Sequence, residues 1–557
     1  MTNREVAIIL DRIADILQIK DETAFFKIQA YRKAANSIYH LDEDLNTLKQ
    51  ANRIGEIPGV GKAVKAKIEE ILEKGSCEYY ERLTAEVPIG VLDMLALPGI
   101  GHKTVKTIYE QLGIDNLDDL LKAAEERQIR TLPGMGGKTE YNIKKGMELL
   151  RQHGGKVTLG LALPLAENFR DFLLEADSIE YASIVGSIRR GKPLVSDIDI
   201  LVASPDYPQV LQKVSNYKGL VKIAEHDRSC IKGFLTHHIE FEVIIVPPSE
   251  YFSSLVWTTG SKAHRSLLFK DAEAPQLPEV NSEIEFYSHL GMDYITPELR
   301  ENRGEIEAAH KHELPQLLDL TDIKGDLHIH SKWSDGAHEI REMVDAARTL
   351  GYSYIAITDH SRSLAISGGL NEERLNNQRI AIDALNGQLE NFQILKGSEV
   401  DILKDGRLDF EDDLLKDLDL VIASIHSNFK LDIDKQTERI MQAAKNEHVD
   451  IIAHLTGRLL NRRNGYELDL DRVLETTAKN HTILEINAHP DRLDIDEEIA
   501  RQAKDMDIKI AVNSDAHHKL DLNLMKYGIM TARRGWLGPD DVVNTWEKDK
   551  LLDYLRE

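Results

Sequence analysis

The 557-residue chain has little cysteine, few aromatic residues and no long apolar run. Its two cysteines, Cys77 and Cys230, exclude a disulfide framework and a cysteine-rich zinc site, and they fit a reducing compartment. Every uninterrupted apolar run is shorter than the roughly 18 residues that a membrane span needs, so we expect no membrane association and a cytoplasmic location. Because cysteine is so scarce, any bound metal must be held by histidine and carboxylate side chains.

Positive charge is also scarce. The chain carries 69 lysines and arginines against 94 aspartates and glutamates, which gives a formal net charge of −25. An acidic chain is a poor general binder of polyanions. If the chain binds nucleic acid, it must do so through local basic patches or backbone amides. The first residues alternate charges with apolar positions, which predicts an amphipathic helix and no signal peptide.

Residue patterning divides the chain into segments of different character. The first 150 residues look helical, with short glycine-rich turns, and strand-like runs follow up to about residue 250. A charged, irregular stretch comes next, and beyond it apolar runs alternate with helical stretches, which predicts a parallel α/β domain. The expected domains are residues 1–80, 81–152, 153–250, 251–321 and 322–557.

Near the N-terminus, a motif of an apolar residue, Pro, Gly, any residue and Gly occurs three times, at 57–71, 97–111 and 132–146. The proline fixes the start of a turn, the glycines allow positive φ, and the helix that follows can bind a phosphate at its N-terminus. One copy would suit a plain helix connector equally well. Three copies, each followed by a lysine or histidine, predict sequence-independent binding to a DNA backbone.

This repeat resembles the helix-hairpin-helix motif. The residues expected to contact DNA are the glycines of the three turns and the lysines that follow them: Gly59, Gly61, Lys62, Lys65, Gly99, Gly101, Lys103, Gly134, Gly136 and Lys138.

A second motif, VGSIRRGKPLVSDIDILVA, spans 185–203. Its Gly-Ser pair follows a strand and offers donors to a triphosphate, and its two arginines add cationic clamps. Its two aspartates lie on one face of a strand, where they can hold two Mg²⁺ ions for nucleotidyl transfer. A solvated pair of acids on an edge strand is the alternative, which the complete motif disfavours. The residues concerned are Gly186, Ser187, Arg189, Arg190, Asp197 and Asp199.

Together with the helical repeats, this motif resembles the family X DNA polymerases over about residues 1–270. The resemblance implies an α+β nucleotidyltransferase palm, Mg²⁺ and deoxynucleoside triphosphates. It makes Glu242 the third metal-binding carboxylate and places Gly260 and Ser261 in a turn that binds the nucleotide. It also makes Lys67 a candidate Schiff-base nucleophile, with an ordinary phosphate-contacting lysine as the alternative.

The chain departs from the family pattern at several positions. The family has Asp where this chain has Glu242, and it has Asn and Arg where this chain has Arg265 and Phe269. The strands of the family's thumb domain have no counterpart before the charged connector. We therefore expect gap filling to be weak, error-prone or absent.

Histidines and acids recur at the ends of the apolar runs beyond residue 322. In a parallel barrel the strand ends converge on one face, so these side chains should meet. A lone histidine is more often structural, but recurrence after nearly every strand argues against that explanation. Imidazole and carboxylate ligands without thiolates suit Mn²⁺, Zn²⁺ or Fe²⁺. Closely spaced metals activate water and clamp a phosphate, so the sequence predicts phosphoester hydrolysis.

The pattern resembles the polymerase and histidinol phosphatase (PHP) domain, a distorted parallel α/β barrel, over 322–557. Joined to a family X polymerase, it resembles the bacterial PolX architecture, in which this domain is a manganese-dependent 3′–5′ exonuclease. The resemblance implies up to three Mn²⁺ or Zn²⁺ ions. Their ligands would be His328, His330, Asp335, His360, Glu399, His426, His454, Asp515 and His517.

Three functions remain open at this stage. The chain could be a repair enzyme that combines polymerase and exonuclease, a nuclease that processes DNA ends with a non-productive polymerase module, or a small-molecule phosphatase of the histidinol phosphatase type. The helix-hairpin-helix repeats disfavour the phosphatase, because an enzyme that acts on a small substrate needs no motif for binding duplex DNA. The expected partners are gapped or nicked duplexes with 3′ ends. The expected state is a monomer associated with a bacterial nucleoid.

Overall fold

The computed structural model describes residues 1, 3–20, 24–39, 41, 43–97, 100–152, 155–236, 239–270 and 278–556. Gly99, one of the expected DNA contacts, lies outside these residues. No helix in the described part of the chain combines the length and the apolar character that crossing a bilayer requires.

The N-terminal region is entirely helical in its described residues, as expected. A single cluster of buried side chains runs from Val6 to Met147 and joins its helices. Gly75 and Gly113 end two of these helices in the left-handed conformation, with φ of 81° and 66°. The helices are α1 (Asn3–Lys20), α2 (Phe25–Tyr39), α3 (Leu45–Gln50), α4 (Lys62–Lys74), α5 (Glu78–Glu86), α6 (Ile89–Asp93), α7 (His102–Leu112), α8 (Leu117–Glu125) and α9 (Gly137–Gln152).

The middle region is a mixed α+β unit, which confirms the expected fold class. Its five-stranded sheet has the order β2-β4-β7-β6-β5, and only β4 and β7 pair in parallel. The elements are β1 (Val157–Thr158), α10 (Leu159–Leu174), β2 (Tyr181–Ile184), α11 (Gly186–Arg189), β3 (Leu194–Val195), β4 (Asp197–Ala203), α12 (Tyr207–Ser215), β5 (Leu220–His226), β6 (Cys230–Leu235) and β7 (Glu240–Val246).

The connector after this sheet contains helices and, in its described residues, no strand. Two of the three residues that depart from the polymerase pattern pack here. The Arg265 guanidinium lies 4.9 Å from the Trp257 ring centre, and the centre of the Phe269 ring lies 5.0 Å from that of Trp257. Trp536 from the C-terminal region joins the connector's core. The helices are α13 (Tyr251–Thr259), α14 (Lys262–Leu268), α15 (Glu283–His289) and α16 (Glu305–Lys311).

The C-terminal region is a parallel seven-stranded sheet that curls into a nearly closed barrel, as expected. The strands follow one another in chain order from β8 to β14. The two edges meet because the His330 amide donates to the Ala516 carbonyl at 2.9 Å. The strands are β8 (Gly325–Ile329), β9 (Tyr354–Ile357), β10 (Gln393–Asp401), β11 (Leu420–Ser424), β12 (Ile451–Ile452), β13 (Ile483–Asn487) and β14 (Ile510–Asn513).

Helices connect these strands and cover the barrel. Their apolar faces pack on the strands in one large cluster of buried side chains, while charged residues occupy exposed positions on the same helices. The helices are α17 (Ile340–Thr349), α18 (Glu372–Asn386), α19 (Asp412–Leu415), α20 (Ile433–Ala444), α21 (Leu470–Lys479), α22 (Glu497–Asp505), α23 (Met525–Arg534) and α24 (Lys548–Leu555).

Candidate active sites

The carboxyl ends of the barrel strands bring the expected metal ligands together. Each ligand lies at the end of a strand or within four residues after it, apart from Asp335 on the loop after β8. Because the strands are parallel, these ends share one face of the barrel. His454 and Asp515 have positive φ angles of 29° and 54°, and such strained backbone is typical of functional sites.

Glu399 lies at the centre of this strand-end cluster. Its side chain is 1% exposed. Its carboxylate oxygens lie between 2.8 and 3.5 Å from the nearest ring nitrogens of His328, His330, His360, His426 and His454.

Three overlapping groups in the cluster have ligand atoms within 4.8 Å of one another. Within one group, a nitrogen of His517 lies 3.3 Å from Asp335, and in another, a nitrogen of His330 lies 3.2 Å from Asp515. A group this compact is the size of a metal's coordination shell. The groups are His330, Asp335, His360 and His517; His328, His330 and Asp515; and His360, Glu399 and His426.

The buried charges of the cluster are strongly coupled. Although burial opposes it, neighbouring carboxylates raise the pKa of His328, His360 and His517. Burial opposes ionisation of Glu399, yet the imidazoles of His360 and His328 hold its carboxyl pKa well below the ordinary value. Burial and the neighbouring imidazoles of His517 and His360 lower the pKa of His330 to about 3. The Glu399 carboxylate is therefore ionised and the His330 imidazole is neutral at neutral pH, and these are the forms that bind metals.

The cluster leaves polar atoms without partners. His328 Nε2 and Glu399 Oε2 lie 3.3 Å apart, but both are buried and neither has a hydrogen-bond partner of acceptable geometry. Buried polar groups are normally satisfied. A divalent cation fits this donor set, because the unpaired atoms are imidazole nitrogens and carboxylate oxygens.

Sequence reasoning missed two carboxylates that contact the expected ligands. Glu485 on β13 is fully buried and lies 2.7 Å from His328 Nδ1. Asp401 lies 2.8 Å from His426 Nδ1. Such contacts fix the tautomer and orientation of a metal-binding imidazole. The only signal for Glu485 was an acid inside the apolar run ILEIN.

We expect Glu485→Gln to weaken metal binding by about 10- to 100-fold, because the amide holds the His328 ring less strongly than a carboxylate does. Metal titration of the stripped protein, followed by mass spectrometry under native conditions, measures the change. Glu475→Gln, an exposed position on α21, is the matched control and should leave the affinity unchanged. Equal metal affinities for Glu485→Gln and the parent chain would contradict this assignment.

In the middle domain, the sheet register brings the expected carboxylates side by side. Asp197 is opposite Glu240, and Asp199 is opposite Glu242, on the parallel strands β4 and β7. Burial, Asp197 and Glu242 together raise the pKa of Asp199 to about 7. Mutual repulsion of this kind is typical of carboxylates that share a cation.

The carboxylate of Glu242 contacts side chains other than its strand neighbour Asp199. Its carboxylate accepts a hydrogen bond from the Cys230 thiol at 3.0 Å and lies 3.4 Å from the Lys232 ammonium. Among the described residues, Asp197, Asp199 and Glu242 are not one of the groups whose ligand atoms all approach within 4.8 Å. The palm carboxylates are therefore adjacent but not gathered around one point.

The expected triphosphate site is only partly assembled. Gly186 has a φ of 61°, and a Cβ there would lie 2.2 Å from Asp199 Oδ2, so only glycine fits against that carboxylate. The Ser187 hydroxyl is buried without a partner. Ser261 instead caps α14 by accepting from the His264 amide, and a Cβ on Gly260 would lie 2.8 Å from the His264 ring.

The two expected arginine clamps are bound to protein carboxylates. Arg189 donates to Glu283 at 2.6 Å, and Arg190 donates to Glu301 at 2.9 Å. Arg534 of α23 in turn donates to Glu301 and to the Arg190 carbonyl. These contacts join the palm to the barrel, so a triphosphate must compete with carboxylates for both guanidinium groups.

In the helical region, the hairpin glycines have two different roles. Gly59 and Gly134 have φ angles of 85° and 75°, which residues other than glycine rarely adopt. Gly61 and Gly101 immediately precede α4 and α7, and a Cβ on either would have nothing within 4 Å, as is also true of Gly136. The fold does not require glycine at these three open positions, so they are available for a close approach by a ligand.

The expected cations surround the hairpins. Lys62, Lys103 and Lys138 are exposed, whereas Lys65 donates to Asn52 at 2.7 Å. Lys67 donates to the Ala63 carbonyl, and its ammonium lies 4.7 Å from the centre of the Tyr79 ring.

The chain resembles known protein families over most of its length. Residues 1–77 match a model for the helix-hairpin-helix domain, and residues 91–148 match one for a SAM-like helix-hairpin-helix tandem. Residues 326–489 match the PHP domain model. A probable phosphatase of Thermoanaerobacter sp. (strain X514) is 32% identical over 42% of this chain and 94% of its own length.

A full-length relative covers all of these regions at once. The DNA polymerase/3′-5′ exonuclease PolX of Bacillus subtilis (strain 168) is 37% identical over 100% of this chain and 100% of its own length. The match therefore spans the helical repeats, the mixed sheet and the barrel of this chain. The chain belongs to the PolX family of DNA polymerases and 3′-5′ exonucleases.

Proposed function

We propose that the chain removes nucleotides from DNA 3′ ends by metal-dependent hydrolysis at the strand-end cluster. The observation that supports this most strongly is the convergence of histidines and carboxylates on Glu399, in a chain whose N-terminal region consists of DNA-binding motifs. We further propose up to three Mn²⁺ or Zn²⁺ ions. Their ligands would be His328, His330, Asp335, His360, Glu399, His426, His454, Asp515 and His517.

In this mechanism the protein supplies geometry and charge. When bound, the metals would polarise the scissile phosphate and lower the pKa of a water molecule. Glu485 and Asp401 would orient the ligating imidazoles. Arg492 lies 3.8 Å from Asp515 at the edge of the cluster and offers a cation to the phosphate oxygens. The test is digestion of a 3′-labelled duplex by metal-stripped protein before and after Mn²⁺ is restored, with nucleoside monophosphates as the expected product.

We propose that the helix-hairpin-helix turns hold the DNA backbone through Gly59, Gly61, Gly99, Gly101, Gly134 and Gly136, with Lys62, Lys65, Lys103 and Lys138 as phosphate contacts. The DNA would be gapped or nicked duplex. Support comes from the open space above Gly61, Gly101 and Gly136, which backbone phosphates can enter.

We expect Gly101→Ala to weaken binding to gapped duplex several-fold while leaving the melting temperature nearly unchanged. The φ of −102° suits alanine and the Cβ meets no protein atom, but it occupies space needed by a phosphate. Fluorescence anisotropy and thermal unfolding measure the two quantities. Gly387→Ala on the barrel is the control. Unchanged DNA affinity would show that the phosphate does not approach this turn.

We propose a second, weaker activity at the palm: gap filling with deoxynucleoside triphosphates and Mg²⁺, held by Asp197, Asp199 and Glu242. Gly186, Ser187, Arg189, Arg190, Gly260 and Ser261 would contact the nucleotide, and Lys67 would act on the deoxyribose phosphate. The contact between Glu242 and Cys230 favours a weakened centre, as do the carboxylates bound to both arginines. A nuclease with a non-productive polymerase module is therefore the second candidate.

The palm should bind Mg²⁺ less tightly at low pH. Because burial and neighbouring carboxylates raise the pKa of Asp199 to about 7, a proton competes with the ion below that pH. Lowering the pH by one unit below the pKa should weaken binding by about tenfold. Calorimetric titration of Mg²⁺ with nucleotide across this range measures the effect, with Asp199→Asn as the control that removes it. An unchanged affinity would contradict the proposed ligand.

A small-molecule phosphatase function has some support, because a relative of the barrel is named a probable phosphatase. The helical region argues for DNA instead. Hydrolysis of histidinol phosphate at a rate exceeding that of a 3′-tailed duplex would favour the phosphatase.

We also propose that the chain acts as a monomer in the bacterial cytoplasm, at the nucleoid, with domains at 1–80, 81–152, 153–250, 251–321 and 322–557.

A further inference from the structure

Helix α2 of the N-terminal region lies beside the mouth of the barrel. Lys33, Asn36 and Ser37 share one face of this helix and line a cavity of about 690 Å³. The opposite wall consists of Ala337, His338, His518 and Lys519 from the strand-end loops. We call this cavity the α2 cleft.

The α2 cleft lies between the first hairpin and the two loops that carry Asp335 and His517. At one end lies Pro58 of the first hairpin, whose Gly59 packs against Lys33 so closely that a Cβ would meet the lysine stem at 2.8 Å. At the other end, the Ala337 amide donates to the carbonyl of His517 at 2.7 Å. Ala337 and His518 line the cleft and lie two residues and one residue from Asp335 and His517, so a strand that left the first hairpin through this cleft would pass beside those two side chains.

The charge of the cleft suits a phosphodiester backbone. Three cations, Lys33, Arg53 and Lys519, line it with two carboxylates, Glu43 and Glu56. Arg53 binds both carboxylates, at 2.9 and 3.0 Å. Among these lining residues the cations therefore exceed the carboxylates by one, and Lys33 is exposed on α2.

The cavity on the other side of α2 has the opposite balance of charge, with more carboxylates than cations. It is lined by Arg32 and Arg462 with three aspartates, Asp11, Asp491 and Asp521. Arg32 is bound to Asp11, and Arg462 lies 3.5 Å from Asp491. An excess of carboxylates repels a phosphate, so this second cavity is a poor path for DNA.

His338 adds a second indication of a ligand. Its Nε2 atom is buried without a hydrogen-bond partner, and its ring lies 4.3 Å from that of His518 across the cleft wall. The volume of the cleft also lies within the roughly 300–1,000 Å³ of typical ligand sites.

We infer that the α2 cleft is the channel through which the single-stranded 3′ end of DNA reaches the metal cluster, with Lys33 contacting a phosphate. This inference rests on the proposed exonuclease function. It adds a path for the strand: the first hairpin holds the duplex, and the frayed 3′ strand threads between α2 and the loops that carry Asp335 and His517.

Binding of the full-length chain to DNA tests the channel. Affinity for a duplex with a single-stranded 3′ tail and for the matching blunt duplex is measured against salt concentration, in EDTA so that neither DNA is degraded. For Lys33→Gln, the slope of log K against log salt should fall by about 0.7 on the tailed duplex, the value for one single-strand phosphate contact. On the blunt duplex the slope should not change. Lys122→Gln, an exposed position on α8 that lines neither cavity, is the control and should alter neither slope.

An equal fall on both DNAs would place Lys33 on the duplex and overturn the inference, as would no fall on either. A photocrosslink provides an independent measurement. 4-Thiothymidine near the end of the tail should attach to peptides that contain 33–37 or 518–519, and attachment to palm peptides alone would refute the channel. If the parent chain degraded no DNA with Mn²⁺ restored, the exonuclease proposal would fail, whereas the slopes and crosslinks would still decide the path of the strand.

Discussion

Glu399→Gln is expected to reduce 3′–5′ exonuclease activity by at least about a thousandfold, a barrier increase of about 4 kcal/mol. The side chain is buried at the centre of the strand-end cluster, and its oxygens lie within 3.5 Å of five imidazoles. An amide has the same shape, but it lacks the charge that would balance divalent cations. Bound metal, measured by mass spectrometry of the purified protein, should fall with the activity.

DNA binding should survive this substitution, because the hairpins lie in a separate helical region. Glu390→Gln, at an exposed position in the same barrel, is the matched control and should retain both metal and activity. Full digestion by Glu399→Gln with undiminished metal would refute the strand-end cluster as the hydrolytic centre. Loss of DNA affinity together with activity would instead indicate that the substitution disturbs the fold.

Glu242→Asp should raise gap filling by up to about a hundredfold, measured in the exonuclease-silenced Glu399→Gln background. In the parent chain, Cys230 and Lys232 hold the longer glutamate away from its neighbour. A shorter aspartate cannot keep these contacts, yet the register still places it opposite Asp199. Correcting an ångström-scale error at a reacting centre is worth about a hundredfold in rate.

Extension of a primer across a one-nucleotide gap measures this effect. Glu240→Asp is the matched control, since it lies on the same strand opposite Asp197 and should produce no gain. Efficient and faithful filling by the parent chain would overturn the view that this palm is weakened. No gain in Glu242→Asp would locate the defect in the connector, where the described residues form helices and no thumb strand.

The sequence predicts that the strand-end histidines and acids meet, because each one is local to a strand. A histidine or acid at the end of an apolar run can be recognised without knowing its partner, and parallel topology then brings the ends together. Glu485 could not be found in this way. It lies inside β13, and its partner His328 is 157 positions away in the chain, so only closure of the barrel reveals the contact.

In the palm, even more than in the barrel, contacts between residues far apart in the chain could not be predicted from the sequence. The motif containing Arg189 and Arg190 predicts cations for a triphosphate, but whether a guanidinium is available depends on distant acids. Arg190 binds Glu301, 111 positions away, and its carbonyl accepts from Arg534, 344 positions away. The position of α2 beside the barrel mouth is likewise a property of tertiary packing, which no local pattern encodes.

The central claim is that the strand-end cluster is a multinuclear metal centre that cleaves DNA 3′ ends. The most direct test is a crystal structure of the full chain grown with Mn²⁺, with anomalous difference maps recorded near the manganese edge. The account predicts more than one peak in the barrel mouth, ligated by the side chains around Glu399, His330 and Asp335. A folded barrel with no peak among these residues, or with manganese bound only at the palm carboxylates, would contradict it.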